Sequence, residues 1–389
     1  MTEDLTLGVI GTSRKENERR LPIHPAQIGD LSEAVRARTW FEAGYAERFA
    51  VPDGEIAHRC AGVRPRDELI AECDVVLLPK PVVSDLELMA PGQVLCGWMH
   101  CVQDPELTQA AIDRRLTLLA WESMNLWSAD GAYRLHVFHQ NNELAGYASV
   151  VHAMQLVGAT GAYGRPLRAS VVGFGATGRG AVLALRAMGV NDVSVLTHRD
   201  ATAVADPIHS ARFFTYGTGG GSAPELDTDH ETMALFLAEH DIVVNCVYQD
   251  PDAPLTYVTR DELADFRPGT LFVDVSVDAG MGFEWSRPTT FDDPIFGLGD
   301  GRSCYAVDHS PSLFWNSATW EISRALSPYL TALLAGEGAR EAEETLRRAI
   351  EIREGVVENP KILSFQGREE DYPHRPRAGQ SAGISGTEE

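Results

Sequence analysis

The stretch Ala169-Ser170-Val171-Val172-Gly173-Phe174-Gly175-Ala176-Thr177-Gly178 constrains this chain more than any other. A short apolar run enters three glycines spaced G-x-G-x-x-G. The chain continues through Gly180-Ala181-Val182-Leu183-Ala184-Leu185 and then a second strand-like run, Val193-Ser194-Val195-Leu196. Strand, glycine turn, helix and strand in that order fit a βαβ unit of a parallel sheet. Gly173 allows the tight turn, Gly175 lets the backbone approach a pyrophosphate, and Gly178 permits close helix packing. The helix N-terminus at Ala176 and Thr177 supplies oriented N–H groups. The turn therefore predicts a bound dinucleotide.

Two alternating series of strand-like and helix-like stretches flank this feature. From Leu5 to about Ala120, apolar runs at Leu5 to Ile10, Asp74 to Leu78, Gln93 to Trp98 and Leu116 to Ala120 alternate with helical stretches such as Ala26 to Arg36 and Pro105 to Arg114. A long helix over Asn142 to Val157 links to the second series, with strands at Ala169 to Val172, Asp192 to Leu196, Asp241 to Val247 and Thr270 to Val277. After Pro311 the chain reads as helical over Trp315 to Leu334 and Gly338 to Glu354, and this part is expected to return to the first series. The expectation is an α/β protein of two domains. A Rossmann dinucleotide-binding domain, 139–307, is inserted in a discontinuous α/β substrate domain, 1–138 with 308–375. Residues 376–389 form a disordered tail, and the glycine-dense stretch Tyr216 to Ser222 a mobile loop.

Composition excludes several partner classes. A net charge of −23 over 389 residues opposes binding to nucleic acid or anionic lipid, because phosphate contacts need clustered Lys and Arg. No apolar run approaches the roughly 18 residues of a membrane span. The acidic start Met1-Thr2-Glu3-Asp4 lacks the basic opening of a signal peptide, which suggests a cytoplasmic protein. Six cysteines without a Cys-x-x-Cys pair suit reduced core thiols, and no metal site is implied. The partners expected are an amino acid and a 2-oxo acid, with the chain assembling as a homo-oligomer.

Local cations must then hold anionic ligands. At the end of the second strand, where NAD sites place an Asp or Glu on the ribose hydroxyl, stands Thr197-His198-Arg199. His198 and Arg199 suit a 2′-phosphate, which favours NADP(H) over NAD(H). Val247, at the end of another strand, is placed beside the cofactor. Arg20, Lys80 and His100 follow apolar strands in the first series, at the carboxyl ends where α/β sheets bind ligands. Asp274 and Asp278 flank Val275-Ser276-Val277 in the second. Taken singly, Lys80 also reads as a surface lysine, His100 as a core histidine and Asp278 as a turn cap.

These pieces resemble the alanine dehydrogenase and transhydrogenase N-terminal superfamily, which includes the saccharopine dehydrogenases and carboxyethylornithine synthases. The likeness spans about Leu7 to Gly367. It rests on Glu18-Arg19-Arg20 with Pro25, Pro79-Lys80-Pro81, Met99-His100, Gly173 to Gly178, Val273 to Asp278 and Ser286-Arg287-Pro288-Thr289-Thr290. The resemblance implies that Arg20 binds a substrate carboxylate, Lys80 binds or polarises the oxo group, His100 is the acid/base and Asp278 lies beside the nicotinamide. Asp308-His309-Ser310-Pro311-Ser312 departs from alanine dehydrogenases, which carry Asn where His309 stands, and looks closest to the N5-(carboxyethyl)ornithine synthases.

That likeness implies an NAD(P)H-dependent reductive condensation of an amino acid of ornithine or lysine type with pyruvate, with Asp308 and His309 binding the amino acid. The alternatives are an alanine dehydrogenase, with ammonia as the amine, and a non-catalytic nucleotide-binding module of transhydrogenase type.

Overall fold

The computed structural model describes residues 5–198, 211–217, 225–226, 232–249, 254–277 and 280–377. The chain forms two α/β units. One comprises the residues up to Phe138 together with those from Trp315 onward, the other His139–Phe314. Asp308 to Phe314, expected at the start of the returning segment, lie with the second unit.

The first unit is built on a sheet in the order Val356–Val357, Ile350–Arg353, Thr117–Ala120, Val94–Gly97, Val75–Leu77, Leu7–Val9, Thr39–Glu42, Gly62–Arg64. The six strands from the N-terminal part are all parallel, and Ile350–Arg353 pairs antiparallel with Thr117–Ala120. Helix was expected through Glu354, but it ends at Arg348. The reason is periodicity: Ile350 and Ile352 alternate with Glu351 and Arg353, which is the repeat of a strand, and Gly355 turns the chain at φ +86°. The expected helix Ala26 to Arg36 is also divided. A 3-10 turn Pro25–Asp30 precedes a short helix Glu33–Arg36, whose Ser32 hydroxyl accepts from the Val35 N–H.

The second unit repeats the plan. Its order is Glu225–Leu226, Ala211–Gly217, Asp192–Thr197, Arg168–Val172, Ile242–Asn245, Leu271–Asp274, Arg302–Tyr305, Ile295–Gly299, parallel except for the strand at each edge. Successive residues point to opposite faces and both faces are covered. Val171, Val193, Val195, Val244 and Val273 enter one core; Val172, Leu196, Val243 and Phe272 enter the other. In both units the six parallel strands run 3-2-1-4-5-6, so the order reverses beside the first strand, and there the carboxyl ends open a ligand-binding crevice.

The helix His139–Leu156 packs against Ala176–Ala187, the helix opened by the glycine turn. A Cβ on Gly146 would lie 1.9 Å from the Thr177 carbonyl oxygen, and one on Gly180 1.7 Å from that of Glu143. Glycine at both positions lets the two backbones touch. Among the described residues, no helix is long and apolar enough to cross a membrane, and no cluster of three or more His, Cys, Asp or Glu is disposed to hold a metal ion.

Forcing these helices apart costs packing throughout the second unit. Gly180→Ala should destabilise the protein by about 1–3 kcal/mol, the usual penalty of overpacking. Thermal unfolding checks this, with Leu183→Ala on the exposed face of the same helix as a control expected to leave Tm nearly unchanged.

Candidate active site

The first unit brings its candidate residues to the carboxyl edge of its parallel strands. Lys80 follows Val75–Leu77 in a loop held by the Ser13 hydroxyl, which donates to the Lys80 carbonyl (2.8 Å). His100 follows Val94–Gly97 with an exposed side chain and a backbone φ of +49°. Arg20 is buried: its Nε donates to Glu18 Oε1 (2.9 Å), its Nη2 to Glu18 Oε2, and its guanidinium lies 4.4 Å from the centre of the Trp98 ring. The fork expected to grip a substrate carboxylate thus spends two of its donors on Glu18.

Two carboxylates that the sequence reading passed over complete this edge. Glu42, at the end of Thr39–Glu42, accepts from the Gly11 N–H (2.7 Å), the Thr12 N–H (2.8 Å) and the Thr12 hydroxyl. Glu122, just past Thr117–Ala120, accepts from the Met99 N–H (3.3 Å) and the His100 N–H, with His100 Nδ1 3.9 Å from its Oε1. Burial and repulsion from Glu351 raise the Glu122 carboxyl above the usual range, and Lys80 pulls in the other direction. Glu122 therefore feels both Lys80 and His100. Applying the strand-end rule to Thr117–Ala120 as it was applied to its neighbours would have found it.

In the second unit the glycine turn lies at the reversal of strand order. Gly173 takes φ +95°, and a Cβ there would meet the Cys246 carbonyl oxygen at 3.1 Å and a Val247 methyl at 2.9 Å. Only glycine fits so close to the adjoining strand end. Gly175 faces open space and, having no side chain, leaves the first N–H groups of the helix Ala176–Ala187 for an external acceptor. A Cβ on Gly178 would lie 2.0 Å from the Gly173 carbonyl oxygen, so this glycine seats the helix on its own turn; packing against the neighbouring helix falls to Gly180. These features fit a dinucleotide pyrophosphate at Gly173 to Gly178.

His198 stands exposed just past Asp192–Thr197, and Val247 is half-buried just past Ile242–Asn245. Arg199 and Asp278 lie outside the described residues, as does the glycine-dense stretch after Gly217. Asp308 and His309 follow Arg302–Tyr305 on the same sheet edge, their side chains joined through His309 Nδ1 and Asp308 Oδ1. The His309 ring also meets Phe291 edge-on.

A buried network ties this edge together. Asp274 Oδ1 accepts from Asn245 Nδ2 (3.0 Å) and the Val277 N–H (3.1 Å), its Oδ2 from the Ser286 hydroxyl, and Asn245 Oδ1 from the Val247 N–H (3.2 Å). Burial pushes the Asp274 carboxyl up to about 6 although these donors favour the anion. Val277, a β-branched residue at φ +55°, is held in a strained conformation by this bonding, so the network sets the backbone geometry up to Val277.

The family model for the alanine dehydrogenase/PNT N-terminal domain matches residues 9–145, and that for the C-terminal domain residues 142–360. The chain is 27% identical to an alanine dehydrogenase of Mycobacterium tuberculosis over 375 residues, covering 92% of this chain and 96% of that one. It is 22% identical to an N(5)-(carboxyethyl)ornithine synthase of Clostridium botulinum over 329 residues, covering 81% and 90%. A solved L-alanine dehydrogenase superposes with a TM-score of 0.74 at 20% identity, covering 92% of this chain and 98% of that one. Two adjoining domain models that together run from residue 9 to residue 360 show that the chain is an oxidoreductase belonging to the alanine dehydrogenase/PNT family.

Proposed function

We propose that the protein interconverts an amino acid with its 2-oxo acid, with alanine, pyruvate and ammonium as the reactants. The observation that carries this reading is the placement of Lys80 and His100 after two adjacent parallel strands, with the Glu122 carboxyl facing both. Relatives named alanine dehydrogenase match more of the chain, at higher identity, than the carboxyethylornithine synthase does. Deamination therefore stands ahead of the reductive condensation suggested by the Asp308-His309 sequence.

A dinucleotide held at Gly173 to Gly178 would supply the acceptor for the hydride that leaves C2 of alanine in the deamination direction. Lys80 pairs with the substrate carboxylate or oxo oxygen as a point charge. The Arg20 guanidinium adds positive charge on the same sheet edge. Water adds to the substrate iminium carbon as His100 takes a proton from it; His100 returns that proton to the amino nitrogen and takes the hydroxyl proton as the C–N bond breaks, releasing pyruvate and ammonia. Acid/base help of this kind contributes about 10²- to 10⁴-fold.

For the cofactor we infer NADP(H) over NAD(H), supported by Thr197-His198 at the strand end in place of a ribose-binding carboxylate. The second reading, condensation of a basic amino acid with pyruvate, is favoured by the joined Asp308 and His309 side chains.

Oxidation of NADPH and NADH with pyruvate, supplied in turn with ammonium, ornithine and lysine, separates the two. Consumption with ammonium alone establishes the first reading, whereas a requirement for a basic amino acid and a secondary-amine product establishes the second. His309→Asn should leave ammonium-dependent turnover within a few-fold of the parent if the first reading holds. His100→Ala should lower kcat by about 10²-fold or more while dinucleotide fluorescence titration still shows binding. Turnover within a few-fold of the parent would remove His100 from proton transfer.

A further inference from the structure

After the helix Pro360–Phe365 the chain returns to the His100 turn. Gln366 is buried there, and its Nε2 donates to the Cys101 carbonyl oxygen (2.6 Å), with the Val102 carbonyl at 3.3 Å. Its Oε1 accepts from Arg368 Nε (2.6 Å). Arg368 is buried as well, and its guanidinium donates to four neutral oxygens: Gln366 Oε1, Gln109 Oε1 (2.7 Å) and the carbonyls of Pro105 and His374 (3.2 Å each). His374, buried in turn, is tied at both ring nitrogens. Its Nε2 accepts from the Val357 N–H (3.0 Å), so Nδ1 carries the proton and donates to the Glu369 carbonyl (3.1 Å).

These partners decide which way the Gln366 amide points. A guanidinium only donates and a carbonyl only accepts, so the amide oxygen must face Arg368 and the amide nitrogen Cys101. The positive charge of Arg368 strengthens the bond that sets this orientation. The turn is then held at three successive groups. The His100 N–H donates to Glu122, the His100 carbonyl accepts from the Gln103 and Asp104 N–H groups (3.0 Å each), and the Cys101 carbonyl accepts from Thr108 Oγ1 (2.8 Å) as well as from Gln366. A histidine at φ +49° lies in the left-handed region and keeps that conformation only where its surroundings impose it.

We propose that Gln366, aimed by Arg368, is a positioning residue for His100: it fixes the Cys101 carbonyl, and with it the left-handed turn that presents the imidazole at the sheet edge. Without that donor the Cys101 peptide is free to rotate and the His100 backbone relaxes toward negative φ, which carries the ring away from its place 3.9 Å from Glu122. An apolar side chain would fill the same space but leave Arg368 Nε buried without an acceptor, so packing alone does not call for glutamine here. The glycine turn Gly173 to Gly178 belongs to the other unit and does not share these bonds. The meaning of this for turnover rests on the acid/base role proposed for His100.

The test is a double-mutant cycle built on Gln366→Glu, which keeps the shape of the side chain and its bond to Arg368 but sets an oxygen against the Cys101 carbonyl. In the parent it should lower kcat about tenfold while leaving the Kd for NADH and NADPH within about twofold; in a His100→Ala background it should lower the residual rate by less than about twofold. Loss by the same factor in both backgrounds marks a general structural effect and overturns the proposal. Thr108→Val, which removes the other side-chain donor to the same carbonyl, should give the same pattern and stands in should Gln366→Glu not fold. The turn is read separately by NMR from the backbone amide signal of His100 in histidine-labelled protein, assigned with His100→Gln. That signal should move in Gln366→Glu while that of His240, in the second unit, stays. An unmoved His100 signal also overturns the proposal. A moved signal without a loss of rate leaves the positioning in place and sinks the acid/base reading instead.

Discussion

Two backbones in contact govern the second unit. Because Gly146 and Gly180 place the helix His139–Leu156 directly on Ala176–Ala187, the N-terminus of the latter is fixed in direction before any ligand binds. Gly178, with no room for a Cβ beside the Gly173 carbonyl, fixes the turn to the same helix. The turn, the helix and the Val247 side of the adjoining strand end are therefore one rigid arrangement. Rigidity matters here, because N–H groups that do not reorganise on binding stabilise an anion at little entropic cost.

Much of this was legible in the sequence, and unevenly. Strands buried on both faces, such as Arg168–Val172 and Val75–Leu77, announce themselves as apolar runs bounded by turn residues. Short strands at the sheet margin, such as Gly62–Arg64, carry no such run and were not seen. Glu344–Arg348 runs into the strand Ile350–Arg353 without a proline or glycine between them, and a helix period was extended across a strand of only four residues. Its pairing partner, Thr117–Ala120, lies more than two hundred residues earlier.

The site shows the same division. Lys80, His100 and the glycine turn could be named because each ends a recognisable strand. Glu122 could have been found by that rule, but Glu351 could not. The two stand 229 positions apart in the chain, and only tertiary structure sets the charge of one against the other. Arg20 stands out in the sequence through its motif, yet its hydrogen bonds to Glu18 and its stacking on Trp98 could not be read from adjacency. An acidic chain has ample carboxylates with which to pin its few buried cations, and the structure uses them that way.

The carboxylate of Glu42 has a wider consequence. Both units share one strand order, and in both the loop after the first strand presents backbone N–H groups at the crevice. In the second unit those groups stand open at Gly175; in the first, Gly11 and Thr12 donate to Glu42. The first unit therefore carries its own built-in tenant where a nucleotide phosphate would sit. The same fold, occurring twice in the chain, thus offers open N–H donors in one unit and filled ones in the other.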